Sequence, residues 1–287
     1  MSPLAAGLGA AIAWGIADYA GGIASRRIPA VWTSIGMQGV GTVLYAAGLA
    51  LLGRWPAVDA TVAYWSLALG ALGGVSLLLL YRGLALGPIA VVSPITAGYS
   101  AVTVVLVVLF LGERLSTAEA IAIAVTFLGV LLASADLRAI RRLAGRPLPG
   151  VGIAFLAMLG FGMWGGLMTA ATREVEPLAL ILGGRVAGFG AMLAAALLLR
   201  SGVPADRRPR TLGLVLAAAV FDTLANVLFV LGVAAGEAAI VATASGLYPV
   251  LPAVLAIAVL KERLAPNQYA GVAILVAGLV ALGYARG

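Results

Sequence analysis

The sequence predicts an all-α membrane protein: ten transmembrane helices arranged as two inverted five-helix repeats, residues 1–144 and 145–287. Three observations predict it. First, the 287 residues are 63% hydrophobic and only 10% charged, with a mean hydropathy of +1.12, where a soluble domain carries about 25% charged residues. Second, long apolar stretches follow one another with short polar joins. Third, the landmarks of the first half of the chain recur in order in the second.

The spans are read in order at 3–24, 31–53, 61–82, 88–111, 116–136, 149–172, 177–200, 211–234, 237–260 and 265–285. Each is long enough to cross roughly 30 Å of hydrocarbon at about 1.5 Å per residue. The first carries Trp14, Asp18 and Tyr19 and is followed by Arg26 and Arg27. Its lack of Lys or Arg before Arg26, and the Asp within its apolar run, argue against a cleaved signal. The second holds Gln38 and stops at Arg54; the third holds Tyr81 and stops at Arg82. The fourth, holding Pro94, nearly touches the third at Gly87-Pro88 and closes on Glu113-Arg114. The fifth runs into the Arg-rich segment 137–148. The sixth carries Trp164, the seventh Arg185, and the eighth Asp222 and Asn226. The ninth holds Pro249 and Pro252, and a tenth closes the set. Only 137–148 and 201–210 are longer than a turn, which leaves no room for a soluble domain. Abundant Gly and Ala suit helices that approach closely, because in lipid tight packing replaces the hydrophobic drive.

Basic residues orient the chain. Counting alternately from the N-terminal side, that side receives Arg54, Arg114, Arg173 and Arg286, while the opposite side receives thirteen of the 18 Lys and Arg. Arg185 lies within a span. The positive-inside rule then places segments 137–148 and 201–210 in the cytoplasm and both termini outside, in the periplasm of a bacterial inner membrane. The net charge of +7 thus reflects cytoplasmic loops, and no nucleic-acid partner is implied.

The repeat is the strongest pattern. A shift of 149 brings Gly83 onto Gly232, Gly87 onto Gly236, Ala90 onto Ala239, Tyr99 onto Tyr248 and Gly129 onto Gly278. The same shift brings Glu113-Arg114-Leu115 onto Glu262-Arg263-Leu264. Earlier in the units the match is looser, with Trp14-Gly15 against Phe161-Gly162 at an offset of 147 and Pro29 against Pro177 at 148. Five is odd, so the two copies enter the membrane in opposite directions. Inverted repeats of this kind characterise secondary transporters, in which two near-equivalent halves rock about a central site.

Several chemistries are excluded. With no Cys there is no disulfide, iron–sulfur or thiolate chemistry. With no His the commonest metal ligand and neutral-pH base is missing, and a Ser–His site is impossible. No phosphate-cradling loop precedes a Lys, so ATP is not the driver. No cofactor or metal is expected. An intramembrane aspartyl protease needs two facing carboxylates, and Asp18 with Asp222 lack the usual flanking motifs. A channel would show rings of like charge or a filter sequence, and neither is visible.

Leu111-Gly112-Glu113-Arg114-Leu115 closing the fourth span, its echo Leu260-Lys261-Glu262-Arg263-Leu264 closing the ninth, Pro94 and Pro249 within them, and Trp14-Gly15 together resemble the EamA branch of the drug/metabolite transporter superfamily. Within it the chain is most similar to the YddG-type amino acid exporters. The resemblance implies ten helices, a central cavity, and export of small metabolites such as aromatic amino acids. Members are usually drawn with cytoplasmic termini, whereas the charge count here places both outside.

Candidate site residues fall in three groups. Pro94, Pro249 and Pro252 kink the fourth and ninth spans, beside Ser93, Tyr99, Ser245 and Tyr248. Loosened backbone and small hydroxyls are tolerated in a bilayer only where they face protein or a wet cavity, so these residues either line a solute site or satisfy the kinked helices locally. Ionisable residues at membrane depth are Asp18, Arg185 and Asp222, each of which must face the interior and find a partner. Either an Asp carries a proton, or an Asp and Arg185 hold a substrate ammonium and carboxylate, or Arg and Asp form a structural bridge. Trp14, Tyr19, Gln38, Tyr81, Trp164 and Asn226 complete the expected lining, while Trp32, Trp55 and Trp65 near span ends read as interfacial anchors. The expected partners are a small-molecule substrate and membrane lipid. A fused pair of units can enclose its own cavity, which makes a monomer the expected state. Within transport, a multidrug exporter of lipophilic cations competes with an amino acid exporter.

Overall fold

Proline and short polar side chains set the helix starts. In the computed structural model, which describes residues 2–87, 92, 95–134, 137, 150–248, 250 and 265–285, α1 spans Pro3–Ser25, with Ser2 Oγ accepting from the Ala5 N–H at 3.3 Å. Helix α2 (Ala30–Leu51) begins after Pro29, and α3 (Ala60–Leu86) begins at Asp59, whose carboxylate accepts from the Val62 N–H at 2.8 Å. Helix α4 covers Tyr99–Phe110 and α5 Thr117–Ser134. A reciprocal capping box opens α5: the Glu119 N–H donates to Ser116 Oγ, and the Ser116 N–H donates to the Glu119 carboxylate at 2.7 Å. Helices α6 (Val151–Ala171), α7 (Pro177–Leu198), α8 (Pro209–Ala234), α9 (Ala238–Ser245) and α10 (Pro266–Tyr284) follow. Proline at the first turn of α1, α7, α8 and α10 costs nothing, because its missing N–H would have had no partner there.

Among the described residues, α1, α2, α3, α6, α7 and α8 are long and apolar enough to cross a membrane, and shorter apolar helices cover Ile95–Phe110, Thr117–Ala133 and Pro266–Leu282. The third helix runs on to Leu86, past the expected end at 82. Its backbone ladder continues through Gly87, whose N–H donates to Gly83 at 2.8 Å, and Arg82 projects from the last turns instead of ending them. The expected kinks at Pro94, Pro249 and Pro252, Ser93, the Glu262-Arg263-Leu264 echo and almost all of segment 137–148 lie outside the described residues.

The layering is inside-out relative to a soluble bundle. Ala6, Ala10, Ala13, Ala17 and Ala24 are buried along α1, while Val43, Leu67, Phe110, Leu128 and Leu216 are exposed on the outer surface. Small residues inside let backbones approach, and large apolar side chains outside suit lipid. Helix α1 packs on α8 and α9, α3 on α6 and α7, α2 on α7 and α8, and α4 on α6 and α9. To one side α5 pairs with α10. There Gly129 lies against Leu275 and Gly278 against Thr126, so neither glycine has room for a side chain.

Loops tie the helix ends into two groups. At one end Arg26 Nε donates to the Leu84 carbonyl (3.4 Å), Arg27 Nη1 to Thr211 Oγ1 (3.4 Å) and Trp32 Nε1 to the Gly202 carbonyl (2.7 Å). Asp206 belongs to this end, where the Arg208 N–H and then the Thr211 hydroxyl hold its carboxyl below the usual range. At the other end Trp65 Nε1 donates to Glu174 (3.0 Å), Arg173 Nη1 to the Leu111 carbonyl (3.0 Å), and the Ala239 N–H to the Glu113 carboxylate (3.1 and 3.3 Å).

Candidate functional site

Close helix crossing shapes the site. Helices α3 and α7 meet through two small-residue pairs, Gly70 with Gly74 and Gly184 with Gly188. A Cβ at Gly70 would lie 2.5 Å from the Gly184 carbonyl and 2.7 Å from the Gly188 nitrogen. Such spacing puts the glycines on one face of each helix and lets the backbones touch. Gly70, Gly73 and Gly184 then form one wall of a cavity between the helices. The rest is supplied by α1 (Trp14, Asp18), α2 (Gln38), α3 (Leu69, Leu77, Leu80), α4 (Tyr99), α6 (Phe161, Trp164, Met168), α7 (Leu180, Ile181, Arg185), α8 (Asp222, Asn226, Val230) and Tyr248.

Aromatic rings line much of it. Phe229 is fully buried behind the wall and touches Trp14 at a ring-centroid distance of 5.4 Å and Trp164 at 5.5 Å. Trp14 meets Tyr99 edge-on at 6.3 Å, and Tyr99 meets Phe161 at 6.3 Å and Tyr248 at 6.2 Å. Phe229 holds the two indoles in place, a role that its sequence context did not signal. The glycine pairs at spacing four in the third and seventh spans, by contrast, were a visible sign of the α3–α7 crossing.

One charge network occupies the polar side. Arg185 Nη2 donates to Asp222 Oδ2 at 2.8 Å, with the residues 5% and 8% exposed. Asp222 Oδ1 accepts from Trp14 Nε1 (3.3 Å) and Asn226 Nδ2 (3.1 Å), and Asn226 Nδ2 also donates to the Asp222 carbonyl at 2.8 Å. Both carboxylate oxygens of Asp222 are therefore occupied by protein donors. Arg185 Nε and Nη1 are buried with no hydrogen-bond partner among the described residues, the guanidinium lying against Gly41 of α2. Asp18 lines the same cavity, and no described residue donates a hydrogen bond to it.

The expected site residues divide accordingly. Trp14, Asp18, Gln38, Tyr99, Trp164, Arg185, Asp222, Asn226 and Tyr248 meet at the cavity. Ser245 is fully buried behind it, bonded to the Tyr99 hydroxyl at 2.7 Å. Tyr81 is fully buried, but its ring packs on the backbone of Gly21 outside the lining. Tyr19 is 59% exposed on the outer face of α1, away from the cavity. Successive helix residues diverge by about 100°, so with Asp18 turned inward Tyr19 faces lipid. Among the described residues no cluster of three or more His, Cys, Asp or Glu is arranged to hold a metal.

Helices of membrane-spanning length surrounding a ring-lined cavity with a buried ion pair define a multi-pass membrane protein. The chain belongs to the EamA-like transporter family, whose model matches residues 1–135 and 148–284. That is a family of membrane transporters within the drug/metabolite transporter superfamily, not one of enzymes. No curated protein matches the chain. Among solved structures 28 chains match. One, a crystal structure of a protein 18% identical to this chain, superposes with a TM-score of 0.79 over 99% of this chain and 97% of its own. At that identity the likeness speaks for the fold alone.

Proposed function

We propose that the chain crosses a bacterial inner membrane ten times as two oppositely inserted five-helix units, residues 1–144 and 145–287, and exports small metabolites by alternating access. Aromatic amino acids are the foremost substrates, as in the YddG-like exporters that the sequence resembles. Support for the inverted repeat comes from reciprocal packing. Exchanging each helix with the one five places on turns the α1–α8 contact into α6–α3, α2–α8 into α7–α3, and α1–α9 into α6–α4. The α2–α7, α4–α9 and α5–α10 contacts turn into themselves. The 149-residue shift carries Gly129 on Leu275 into Gly278 on Thr126, and Gly83 against Val92 into Gly232 against Val241. The family match also falls in two stretches, 1–135 and 148–284.

The observation that carries the substrate reading is the cavity itself: Trp14, Tyr99, Phe161, Trp164 and Tyr248 offer ring faces beside Asp18 and the Arg185–Asp222 pair. Rings favour an aromatic side chain and Asp18 an ammonium, while Arg185, two of whose nitrogens have no partner among the described residues, favours a carboxylate. One chain contributes every lining group, so a monomer suffices. The charge asymmetry favours a cytoplasmic location for the end that holds Arg26, Arg27 and Arg208, and a periplasmic one for both termini.

One observation favours a second reading, export of lipophilic cations. Asp222 and Arg185 neutralise each other, which leaves Asp18 as the cavity charge without a described hydrogen-bond partner. Efflux from proteoliposomes decides between them, using a panel of amino acids and of lipophilic cations at matched and mismatched pH. Competition by aromatic amino acids alone supports the first reading, and competition by cations alone replaces it with the second. Movement of neither class refutes both.

A further inference from the structure

Tyr99 and Tyr248 occupy equivalent positions in the two halves, 149 residues apart, and their rings lie 6.2 Å from each other at the cavity. Their hydroxyls do not share one environment. Ser245 Oγ gives its own proton to the Ala242 carbonyl at 3.0 Å, so in the 2.7 Å contact the Tyr99 hydroxyl donates and Ser245 accepts. The Tyr248 hydroxyl is buried with no partner among the described residues.

The residue equivalent to Ser245 is Thr96, by the same shift of 149. Thr96 is buried, and its hydroxyl proton is likewise spent on its own helix, donated to the Val92 carbonyl at 3.0 Å. Its oxygen keeps a lone pair of the kind that Ser245 offers Tyr99. Donor, acceptor and the intrahelical bond that orients the acceptor are therefore all present twice. Only one copy is engaged.

We propose that the two tyrosines form a reciprocal latch: the Tyr99–Ser245 bond belongs to the conformation described here, and a Tyr248–Thr96 bond replaces it in the oppositely facing conformation. This rests on the alternating-access reading above and deepens it. Exchanging the conformations of two inverted halves must exchange the environments of equivalent residues. Each state then holds one tyrosyl hydrogen bond and one buried tyrosyl hydroxyl without a partner. The latch marks each state without favouring either, which keeps two states of a transporter close in free energy.

The test uses the chain's lack of cysteine. Gly184 lines the cavity, and a Cβ there meets no atom within 4 Å, so Gly184→Cys places one thiol in the pathway. Its rate of modification by a membrane-impermeant methanethiosulfonate is measured from each face of oriented vesicles. The ratio of the two rates follows the balance of the two states. Tyr99→Phe and Ser245→Ala should each move the ratio roughly threefold to tenfold away from the conformation described, the worth of one hydrogen bond. Tyr248→Phe and Thr96→Val should move it by a similar factor in the opposite direction. Tyr99→Phe combined with Tyr248→Phe should return it to within about twofold of the parent, and Thr96→Ser should leave it unchanged.

Shifts of the same sign in both sets, or no shift in either, overturn the latch. Thiol reactivity from one face only, unchanged by any transported solute, overturns alternating access itself. The two failures are therefore distinguishable. Phenylalanine keeps the ring that packs against its neighbours, so the tyrosine variants alone decide the matter if the serine and threonine variants misfold.

Discussion

Arg185 of α7 and Asp222 of α8 are joined by a 2.8 Å hydrogen bond, and Asp222 accepts two further bonds while two nitrogens of Arg185 have no partner among the described residues. The pair is thus asymmetric: the carboxylate is fully committed and the guanidinium is not. Truncating one side leaves the other charge buried. Arg185→Ala and Asp222→Ala should each destabilise the protein by about 3–5 kcal/mol, and the double replacement Arg185→Met with Asp222→Leu by far less than their sum. Thermal unfolding in detergent measures all three. Additive losses would show that the two residues do not act as a pair.

Asp18 and Asp222 should separate in function for the same reason. Asp222 is held by Arg185, Trp14 and Asn226, whereas Asp18 faces the cavity without a described donor. Asp18→Asn should abolish the response of transport to a pH difference or to substrate charge. Asp222→Asn should chiefly lower stability and leave that response in the protein that remains folded. Flux in proteoliposomes, normalised to folded protein, is the measurement. Wild-type transport by both variants removes any role for these carboxylates in coupling.

What the sequence could reveal was set by the kind of solvent on each side of a residue. The apolar stretches and the 149-residue echo are properties of the chain itself, so the six long apolar helices and the three shorter ones were legible. Which face of each helix turns inward was not, because lipid and protein interior are both apolar and hydrophobic periodicity loses its meaning. Asp18 and Tyr19 show this: both were expected at the site, yet neighbours on a helix point about 100° apart and the cavity takes only the aspartate. Arg185 and Asp222 could be read either as a substrate clamp or as a bridge, and their 2.8 Å contact required the fold to bring α7 and α8 together. Phe229 carried no sign at all, being one more apolar residue in an apolar run. The Ser116–Glu119 capping box, by contrast, was present in the sequence as a Ser-x-x-Glu signature.

The α3–α7 crossing should be intolerant of bulk. Gly70→Leu and Gly188→Val insert atoms where backbone already lies within 2.7 and 3.2 Å of the Cβ position, so each should cost about 1–3 kcal/mol or more in thermal unfolding. Gly184→Ala is the control on the same helix, because its Cβ meets open space. Equal effects at Gly184 and Gly188 would mean that the crossing is looser than described.

Glu113 links two helix ends. It stands just past the end of α4, and its carboxylate accepts from the Ala239 N–H in the first turn of α9. The first amides of a helix have no partner within it, and the positive end of the helix dipole favours a carboxylate there. Glu113 therefore fastens the end of α4 to the start of α9. Glu113→Gln keeps an acceptor and loses the charge, whereas Glu113→Ala loses both. The expected order of thermal stability is wild type, then Gln, then Ala, with the alanine variant about 1 kcal/mol or more below wild type. Faster amide hydrogen exchange at Ala239 in the alanine variant should accompany the loss. Unchanged exchange there, with stability lowered all the same, would assign the effect of Glu113 to contacts other than the α9 cap.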